Sequence, residues 1–372
     1  MRENLHATYL IRSSADAIGA RAQALALEQS IEVPLAALTD ARIERDVVAQ
    51  VESISARGSD LYAVRLALAL ETVGDDAGQL MNMLFGNSSL LTDIQLEDID
   101  LSTAAATRFG GPALGIAGIR ARVRVAERAL TSTALKPIGS SVAQVSRMAA
   151  LFADAGIDVI KEDHGWAESA RSPFRVRVPA CQRAIAAANR GKDEHESLSQ
   201  YAPSLSGDLD QMRVQLRCAL ECGVTMALAA PMTMGCAGFQ TLRREFPQVA
   251  LLAHPAFAGT QIAPGALLGK LFRLFGADAV IFPNHGGRFA FPRDVCAAIA
   301  AGNRAPWLGL KPSLPTPAGG MSVERVAEII SEYGRDAMLL IGGSLLIARD
   351  QLAARSRAFV SSVAQASDAV TA

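Results

Sequence analysis

From about residue 130 onward, short apolar runs alternate with longer segments whose apolar residues recur at helical spacing, as in 142–156, 208–223 and 322–334. Several of these segments end at a glycine, the residue that favours a left-handed helix cap. Strands that alternate with helices predict a parallel sheet, and eight of them close into a (β/α)8 TIM barrel without free edges. An open, doubly wound sheet is the alternative. The eight runs expected to form strands are 133–137, 158–163, 198–204, 225–231, 250–256, 279–285, 307–313 and 337–343.

The first 110 residues show a different order of elements. Residues 6–13 and 61–70 have the pattern of strands, whereas 18–30 and 77–87 have the pattern of helices, and the two types do not alternate strictly. This order predicts an α+β, ferredoxin-like domain. We place it at residues 1–112 and the barrel at residues 113–372, joined by a glycine-rich and then basic stretch.

Composition narrows the class of partner. Half of the 372 residues are apolar, the formal net charge is −1, and no long basic run is present, which argues against nucleic acid or an anionic membrane as a partner. The five cysteines form no CxxC pair, so neither a disulfide framework nor a thiolate zinc site is expected. No apolar run reaches the length of a membrane span. We therefore expect a cytoplasmic protein with a small-molecule ligand.

Polar side chains collect where the predicted strands end, and in such barrels the active site lies at those ends. The richest stretch is Lys161-Glu162-Asp163-His164, in which alternate residues of a strand share a face. Carboxylate and imidazole groups there suit a hard cation, with an ion pair at the barrel rim as the plain alternative. Other strand-end candidates are Lys136, His254, Asn284, His285, Lys311, Ser313, Gly342 and Gly343.

Two further patterns carry chemistry. Lys136 and Lys311 both occur as Leu-Lys-Pro; beside a metal, such a lysine would lose its preference for the ammonium form and become useful in proton transfer, whereas otherwise it is a surface lysine. Glycine pairs at 319–320 and 342–343 follow the last two predicted strands, where barrels bind phosphate through bare backbone N–H groups. Ordinary turn glycines are the alternative.

Seven segments resemble the RuBisCO large-chain superfamily, in its order and near its spacing, and specifically its RuBisCO-like proteins (form IV, non-photosynthetic branch). The segments are GPALGIAGIRARV, TALKPIGSS, AGIDVIKEDHG, LLAHPAF, GADAVIFPNHGGRF, LPTPAGGM and LLIGGSLL, spanning about residues 110–347. The N-terminal domain matches more loosely, through QLMNMLFGN. The resemblance implies an Mg2+-dependent barrel enzyme that works as an antiparallel homodimer or an assembly of dimers.

The resemblance also implies roles for particular residues. Lys161 is similar to the lysine that this family carbamylates with CO2 to make a metal ligand, and Asp163 and His164 stand at the other two ligand positions. RuBisCO itself has a glutamate at the position of His164. Lys136 is similar to the catalytic lysine and His254 to a histidine that faces the substrate. The phosphate-binding backbone is that of Gly319, Gly320, Gly342 and Gly343, and Asn82 is matched to an asparagine that reaches the partner subunit's site.

Departures from the family pattern change the expected reaction. Pro255 stands where carboxylating members have an arginine on phosphate, and Asn284, His285 and Arg288 replace the lysine loop that positions CO2. No ribulose bisphosphate carboxylation is therefore expected.

The main hypothesis from sequence is an enzyme acting on a phosphorylated sugar acid, 3-oxo-isoapionate 4-phosphate, as a decarboxylase (or transcarboxylase or hydrolase) in apiose breakdown. Arg288 is a candidate partner for the substrate carboxylate. The alternative is an enolase or isomerase of a methylthio-pentulose phosphate in sulfur salvage, whose methylthio group needs an apolar pocket. A non-catalytic ligand-binding relative is the alternative from another class.

Overall fold

The computed structural model describes residues 3–289 and 291–370, which form twelve strands and fifteen α-helices besides short 3-10 helices and a π-helix at Gly265–Leu271. The strands are β1 Asn4–Arg12, β2 Gln50–Ala56, β3 Leu61–Ala69, β4 Ile94–Asp100, β5 Leu130–Leu135, β6 Val159–Glu162, β7 Gln200–Ala202, β8 Met226–Ala229, β9 Ala250–Ala253, β10 Ala279–Pro283, β11 Leu314–Ala318 and β12 Met338–Leu340. The helices are α1 Ile18–Glu28, α2 Ala41–Asp46, α3 Ala77–Phe85, α4 Thr103–Phe109, α5 Gly115–Val123, α6 Val142–Asp154, α7 Phe174–Asn189, α8 Leu209–Glu221, α9 Pro231–Met234, α10 Cys236–Glu245, α11 Phe272–Leu274, α12 Arg293–Arg304, α13 Val326–Tyr333, α14 Gly343–Leu346 and α15 Leu352–Ala369.

The N-terminal part is an antiparallel sheet with the order β2-β3-β1-β4. Helix α1 connects β1 to β2 and α3 connects β3 to β4, which is the βαββαβ order of a ferredoxin-like domain. Alternate residues of β1 are buried, so one face of this sheet packs on the core. The predicted α+β class is confirmed, and the division after residue 112 stays a prediction.

The remaining eight strands form the barrel, which confirms the predicted (β/α)8 class over the open sheet. Parallel ladders join β12-β5-β6-β7 and β8-β9-β10-β11. A parallel bridge from Ser204 to Leu228 links β7 to β8, and β11 lies against β12. The inward residues are apolar and fill the centre, as Leu130, Val159, Leu228, Leu252, Ile281 and Leu340 show.

The seventh barrel strand was predicted wrongly. Residues 307–313 form a turn closed by a bridge between Trp307 and Leu310, and the strand is the next segment, β11, with the sequence LPTPA. Its two prolines made the segment look unlike a strand, because proline has no backbone N–H to donate to a neighbouring strand. The backbone groups of Leu314 and Ala318 form hydrogen bonds on the side of β10. The backbone nitrogens of Pro315 and Pro317 therefore face β12, and no hydrogen-bonded ladder joins β11 to β12.

This correction moves Lys311 out of the predicted site. Lys311 and Ser313 precede β11 and therefore lie at the amino-terminal end of the barrel, opposite the strand ends that hold the other candidates. The Lys311 ammonium donates to the backbone carbonyl of Ala113, and the Ser313 hydroxyl donates to that of Ala277. The same shift places Gly319 and Gly320 directly after the strand, as a phosphate site requires.

Within residues 3–289 and 291–370, no helix combines the length and the hydropathy needed to cross a bilayer. The expected cytoplasmic location stays a prediction.

Candidate active site

The pleat of β6 determines which way the polar side chains at its carboxyl end point. Val159 points into the barrel and Ile160 points out to the helices, so Lys161 and Asp163 face inward while Glu162 faces outward. All of these residues are buried. A single strand therefore delivers a lysine and a carboxylate to the barrel mouth and a second carboxylate to the layer outside.

The outward Glu162 belongs to the scaffold. Its carboxylate accepts from Arg177 Nε at 2.5 Å, from the Tyr201 hydroxyl at 2.5 Å and from the Ser204 backbone N–H at 3.0 Å. Arg177, on α7, is also buried, and its guanidinium lies 4.8 Å from the centre of the Trp166 ring. This ion pair fixes α7 against β6, the strand that positions the site.

Replacing Arg177 by Met is expected to lower the free energy of unfolding by about 3 kcal/mol or more, because the buried Glu162 carboxylate loses its charge partner. The double variant Arg177→Met/Glu162→Gln should recover part of that loss, since neither charge then remains. Denaturant titration of the three proteins measures the difference. Equal stability of wild type and the single variant would contradict this role.

The inward groups form one charged cluster. The Lys136 ammonium, at the end of β5, pairs with Asp163 Oδ2. Asp163 Oδ1 accepts from the Gly165 backbone N–H at 3.0 Å and lies 3.5 Å from His164 Nδ1. Lys161 Nζ donates to the backbone carbonyl of Glu162 at 3.0 Å. Lys136 is thus paired with the one inward carboxylate at the barrel mouth, and Lys161 interacts with that carboxylate only through its charge.

Burial sets the protonation of this cluster. It lowers the pKa of Lys161 to about 8, a shift that the Asp163 carboxylate opposes and the Lys136 ammonium increases. Burial disfavours the Asp163 carboxylate, yet the bonds from Lys136 and Gly165 and the two lysine charges together lower its pKa. Near neutral pH, Asp163 is therefore charged, and Lys161 has a larger share of neutral amine than an exposed lysine.

Two histidines lie face to face beside the carboxylate. The rings of His164 and His254 stack at 3.9 Å between centroids with 14° between their planes. Burial lowers the pKa of both, that of His254 to about 2 with the Lys161 charge as the next cause. The backbone N–H of Ala256 donates to His254 Nδ1 at 3.1 Å, so the ring proton sits on Nε2. His254 is thus a neutral hydrogen-bond donor.

Lys161, Asp163 and His164 fit a magnesium ion only if the Lys161 amine carries CO2. Asp163 Oδ1 and His164 Nδ1 are 3.5 Å apart, near the separation of about 3 Å between neighbouring ligands of an octahedral ion. However, two ammonium groups beside one carboxylate repel a cation. Adding CO2 to the neutral Lys161 amine would replace one positive charge by a negative one. The three predicted ligands then fit Mg2+.

One glycine loop lies next to this cluster, and the other lies against the loop after β10. Gly319 and Gly320 have φ values of 77° and 76°, a region that side chains disfavour. A Cβ at Gly320 would lie 2.5 Å from Gly287 Cα and 3.2 Å from the Arg288 backbone nitrogen, so the loops after β10 and β11 are in contact. A Cβ at Gly342 would lie 4.0 Å from Lys136 Cε. The bare backbone of Gly342 therefore borders Lys136.

Gly320→Ala is expected to raise the KM for a phosphorylated substrate about tenfold or more, because the added Cβ forces the two loops apart. It should also cost more stability than Gly223→Ala, a control at φ 82° with no atom within 4 Å of the added Cβ. That control loses only the roughly 1–2 kcal/mol of a left-handed alanine. Kinetics and thermal unfolding measure both effects, and an unchanged KM would argue against a phosphate site here.

Two predicted substrate residues face away from the mouth. Asn284 follows the outward residues of β10: its amide oxygen accepts from the Tyr333 hydroxyl at 2.5 Å and its Nδ2 lies 3.5 Å from Met321 Sδ. His285 Nε2 lies 2.6 Å from Glu332 Oε2, and Arg325 donates to the His285 backbone carbonyl. The strand's pleat, which the residue types alone do not reveal, turns Asn284 towards α13.

His285, Glu328 and Glu332 form a group whose ligand atoms lie within 4.8 Å of one another. It is separate from the predicted ligands Lys161, Asp163 and His164. Arg325 and Arg293 pair with its carboxylates, so its negative charge is already balanced.

Two other predicted site residues, Arg288 and Asn82, lie away from the charged cluster. Arg288 is exposed and stacks over the Phe289 ring at 4.5 Å, and its backbone borders Gly320. Asn82, on α3, lines a separate cavity of about 640 Å³ with Met81, Phe85 and Met232. The chain's own cluster does not border that cavity.

The sequence interpretation missed two apolar side chains at the mouth. Ile138 follows Lys136, is largely exposed, and lies against Gly165 beside Asp163. Phe257 follows His254 and is 82% exposed. Their signal in the sequence was a large apolar residue two or three positions after a strand-end lysine or histidine.

A ferredoxin-like domain on a barrel whose strand ends bear lysines, a carboxylate and stacked histidines defines a two-domain barrel enzyme. Residues 115–371 match the family described as Ribulose bisphosphate carboxylase large chain, catalytic domain. The chain belongs to the ribulose bisphosphate carboxylase large-chain family and, within it, is a RuBisCO-like protein, as the relatives below also show.

Three relatives are similar over nearly the whole chain. A 5-methylthioribulose-1-phosphate isomerase of Rhodospirillum rubrum is 51% identical over 368 residues, 98% of each chain. Ribulose bisphosphate carboxylase-like protein 1 of Rhodopseudomonas palustris is 47% identical over 98% of each chain. The crystal structure of a Rubisco-like protein from Rhodopseudomonas palustris superposes with a TM-score of 0.91 at 43% identity, covering 98% of this chain and 99% of that one.

Proposed function

We propose that this enzyme isomerises a methylthio-pentulose phosphate, 5-methylthioribulose 1-phosphate, through an enediolate. This was the alternative in the sequence interpretation, and the comparisons favour it over decarboxylation of a phosphorylated sugar acid. The relative that is 51% identical has that isomerase activity as its name, and no relative described above has a decarboxylase name. Removal of a proton and loss of CO2 lead to the same kind of intermediate, so the residue types alone did not separate them.

The observation that carries the proposal is the pairing of Lys136 with Asp163 directly beside Gly342. A phosphate held by the backbone of Gly319, Gly320, Gly342 and Gly343 would bring the adjacent ketone over this pair. The carbon adjacent to the ketone would then lie beside the Lys136 amine, which is the arrangement that proton transfer needs. No cation is required at the far end of the substrate.

In the proposed reaction, Lys136 takes a proton from the hydroxyl-bearing carbon next to the ketone and returns one to the former ketone carbon, while the proton of that hydroxyl passes to the former ketone oxygen. The carbonyl moves along the chain and no atom is gained or lost. His254 donates from Nε2 to a substrate oxygen, where charge builds as the proton leaves. Mg2+, when bound by carbamylated Lys161, Asp163 and His164, would act as a Lewis acid on the ketone and disfavour the Lys136 ammonium.

The assembly is part of this proposal. A second copy of the chain would bring Asn82 of its N-terminal domain to the mouth, since Asn82 does not reach its own cluster. Light scattering of the purified protein tests this, and a monomer with full activity would contradict it.

A substrate panel tests the function. The purified protein is incubated with Mg2+ and bicarbonate and with one of three compounds: 5-methylthioribulose 1-phosphate, 3-oxo-isoapionate 4-phosphate, or ribulose bisphosphate with labelled CO2. We expect a product of unchanged mass from the first and no reaction from the others. Release of CO2 from the sugar acid, without reaction of the methylthio sugar, would overturn the proposal and restore the decarboxylase hypothesis.

A further inference from the structure

The mouth of the barrel is charged on one side and uncharged on the other. Lysines and the carboxylate follow β5 and β6, and the glycine loops follow β11 and β12. The strands are arranged around the barrel in chain order, so β7 and β8 end across from the glycine loops, and β9 ends across from β5, which carries Lys136. Residues 202–207, 229–235 and 253–262, which follow these strands, contain no Asp, Glu, Lys or Arg.

This uncharged arc suits only one kind of substrate end. A phosphate or a carboxylate placed there would find no cationic side chain from these loops, and an unpaired charge near a low-dielectric wall is costly. An apolar group loses nothing by contact with Ala230 and Pro255, which are partly exposed. With the phosphate at the glycine loops, the opposite end of the substrate therefore meets an uncharged surface that includes apolar side chains.

Phe257 is the largest side chain of this arc that is free to contact a ligand. It occupies the corner of a turn in which the Ala258 backbone N–H donates to the Pro255 carbonyl. Its φ is 63°, a left-handed conformation that a bulky residue rarely adopts, and its ring is 82% exposed. Such strain in a loop at a strand end is characteristic of functional positions. The turn begins directly after His254, whose ring stacks on His164 of the cluster.

We propose that Phe257 is the specificity-determining residue that packs against the methylthio group, while the uncharged arc forms the floor beneath it. This assignment rests on the proposed function and identifies which part of the mouth recognises the apolar end. A thioether sulfur also makes favourable contacts with an aromatic ring. Discrimination between a methylthio and a hydroxyl end then depends on Phe257 and not on the cluster that moves the proton.

The test compares two substrates that differ only at this end, 5-methylthioribulose 1-phosphate and ribulose 1-phosphate. Phe257→Ala is expected to lower the ratio of their kcat/KM values about tenfold, the scale at which apolar pockets discriminate. Phe257→Leu keeps an apolar side chain and should retain most of the ratio. Because the ring is exposed, both variants should unfold at the wild-type temperature.

Phe289→Ala is the matched control. Phe289 is an exposed aromatic on the loop after β10, on the side of the glycine loops, so its loss should change both substrates alike and leave the ratio intact. A wild-type ratio in Phe257→Ala, with the wild type active on the methylthio substrate, would overturn the assignment while the proposed function stands. A wild type inactive on that substrate would overturn both.

Discussion

Lys136→Met lowers kcat about 10³- to 10⁴-fold, in our expectation, and leaves Mg2+ binding intact. Methionine has nearly the length of the lysine side chain but carries no proton, so general acid–base catalysis is lost while the shape of the mouth is kept. The Asp163 carboxylate loses its ammonium partner, which does not remove it as a cation ligand. Steady-state kinetics with 5-methylthioribulose 1-phosphate and calorimetric titration with Mg2+ measure the two effects separately.

Lys311→Met is the matched control, since both lysines occur in the sequence Leu-Lys-Pro. Lys311 lies at the opposite end of the barrel and donates to the Ala113 carbonyl, so its replacement should leave kcat within about twofold of wild type. If the two variants lost activity equally, the effect would come from stability and not from proton transfer. If Lys136→Met kept wild-type turnover, Lys136 would have no part in the reaction.

Asp163→Asn is expected to reduce activity about 10³-fold or more and to abolish Mg2+ binding. The neutral amide is a weaker cation ligand than the carboxylate, and it leaves the Lys136 ammonium unpaired beside the cation, which that ammonium repels. The Lewis acid contribution, worth several kcal/mol, is lost with the metal. Kinetics and calorimetric titration of the variant with Mg2+ give the result.

Asp210→Asn makes the same chemical change at an exposed carboxylate that pairs with Arg213 on α8. Exposed pairs contribute little, so this control should retain both metal binding and turnover. An Asp163→Asn variant that bound Mg2+ as tightly as the wild type would place the metal elsewhere. The group of His285, Glu328 and Glu332 would then be the next candidate.

The sequence predicted the inward side of the site because strand periodicity is local. In β6, the spacing of Lys161 and Asp163 already requires that they share a face, and the structure pairs Asp163 with Lys136 from the neighbouring strand. The glycine loops followed in the same way from their position after the last two strands. These features depend on the two-residue period of a strand and on the order of the strands, and both can be inferred from the sequence.

The errors have separate causes. Asn284 was placed in the site from its residue type, although it is one pleat position out of phase with the inward residues of β10 and its amide oxygen accepts from Tyr333. The strand LPTPA was passed over because its prolines look like a loop, whereas their missing N–H groups face a neighbour that forms no ladder with them. The cavity beside Asn82 depends on how the two domains meet, which no local pattern encodes.

The central claim is a cation-dependent proton transfer on a phosphorylated ketose by the Lys136–Asp163 cluster. The most direct measurement is a 31P and 1H NMR time course of 5-methylthioribulose 1-phosphate with the wild-type protein, in Mg2+ with bicarbonate and in EDTA without CO2. The account predicts that an isomeric ketose phosphate accumulates in the first sample and that the substrate persists in the second. Equal conversion in both samples, or a product of different mass, would contradict it.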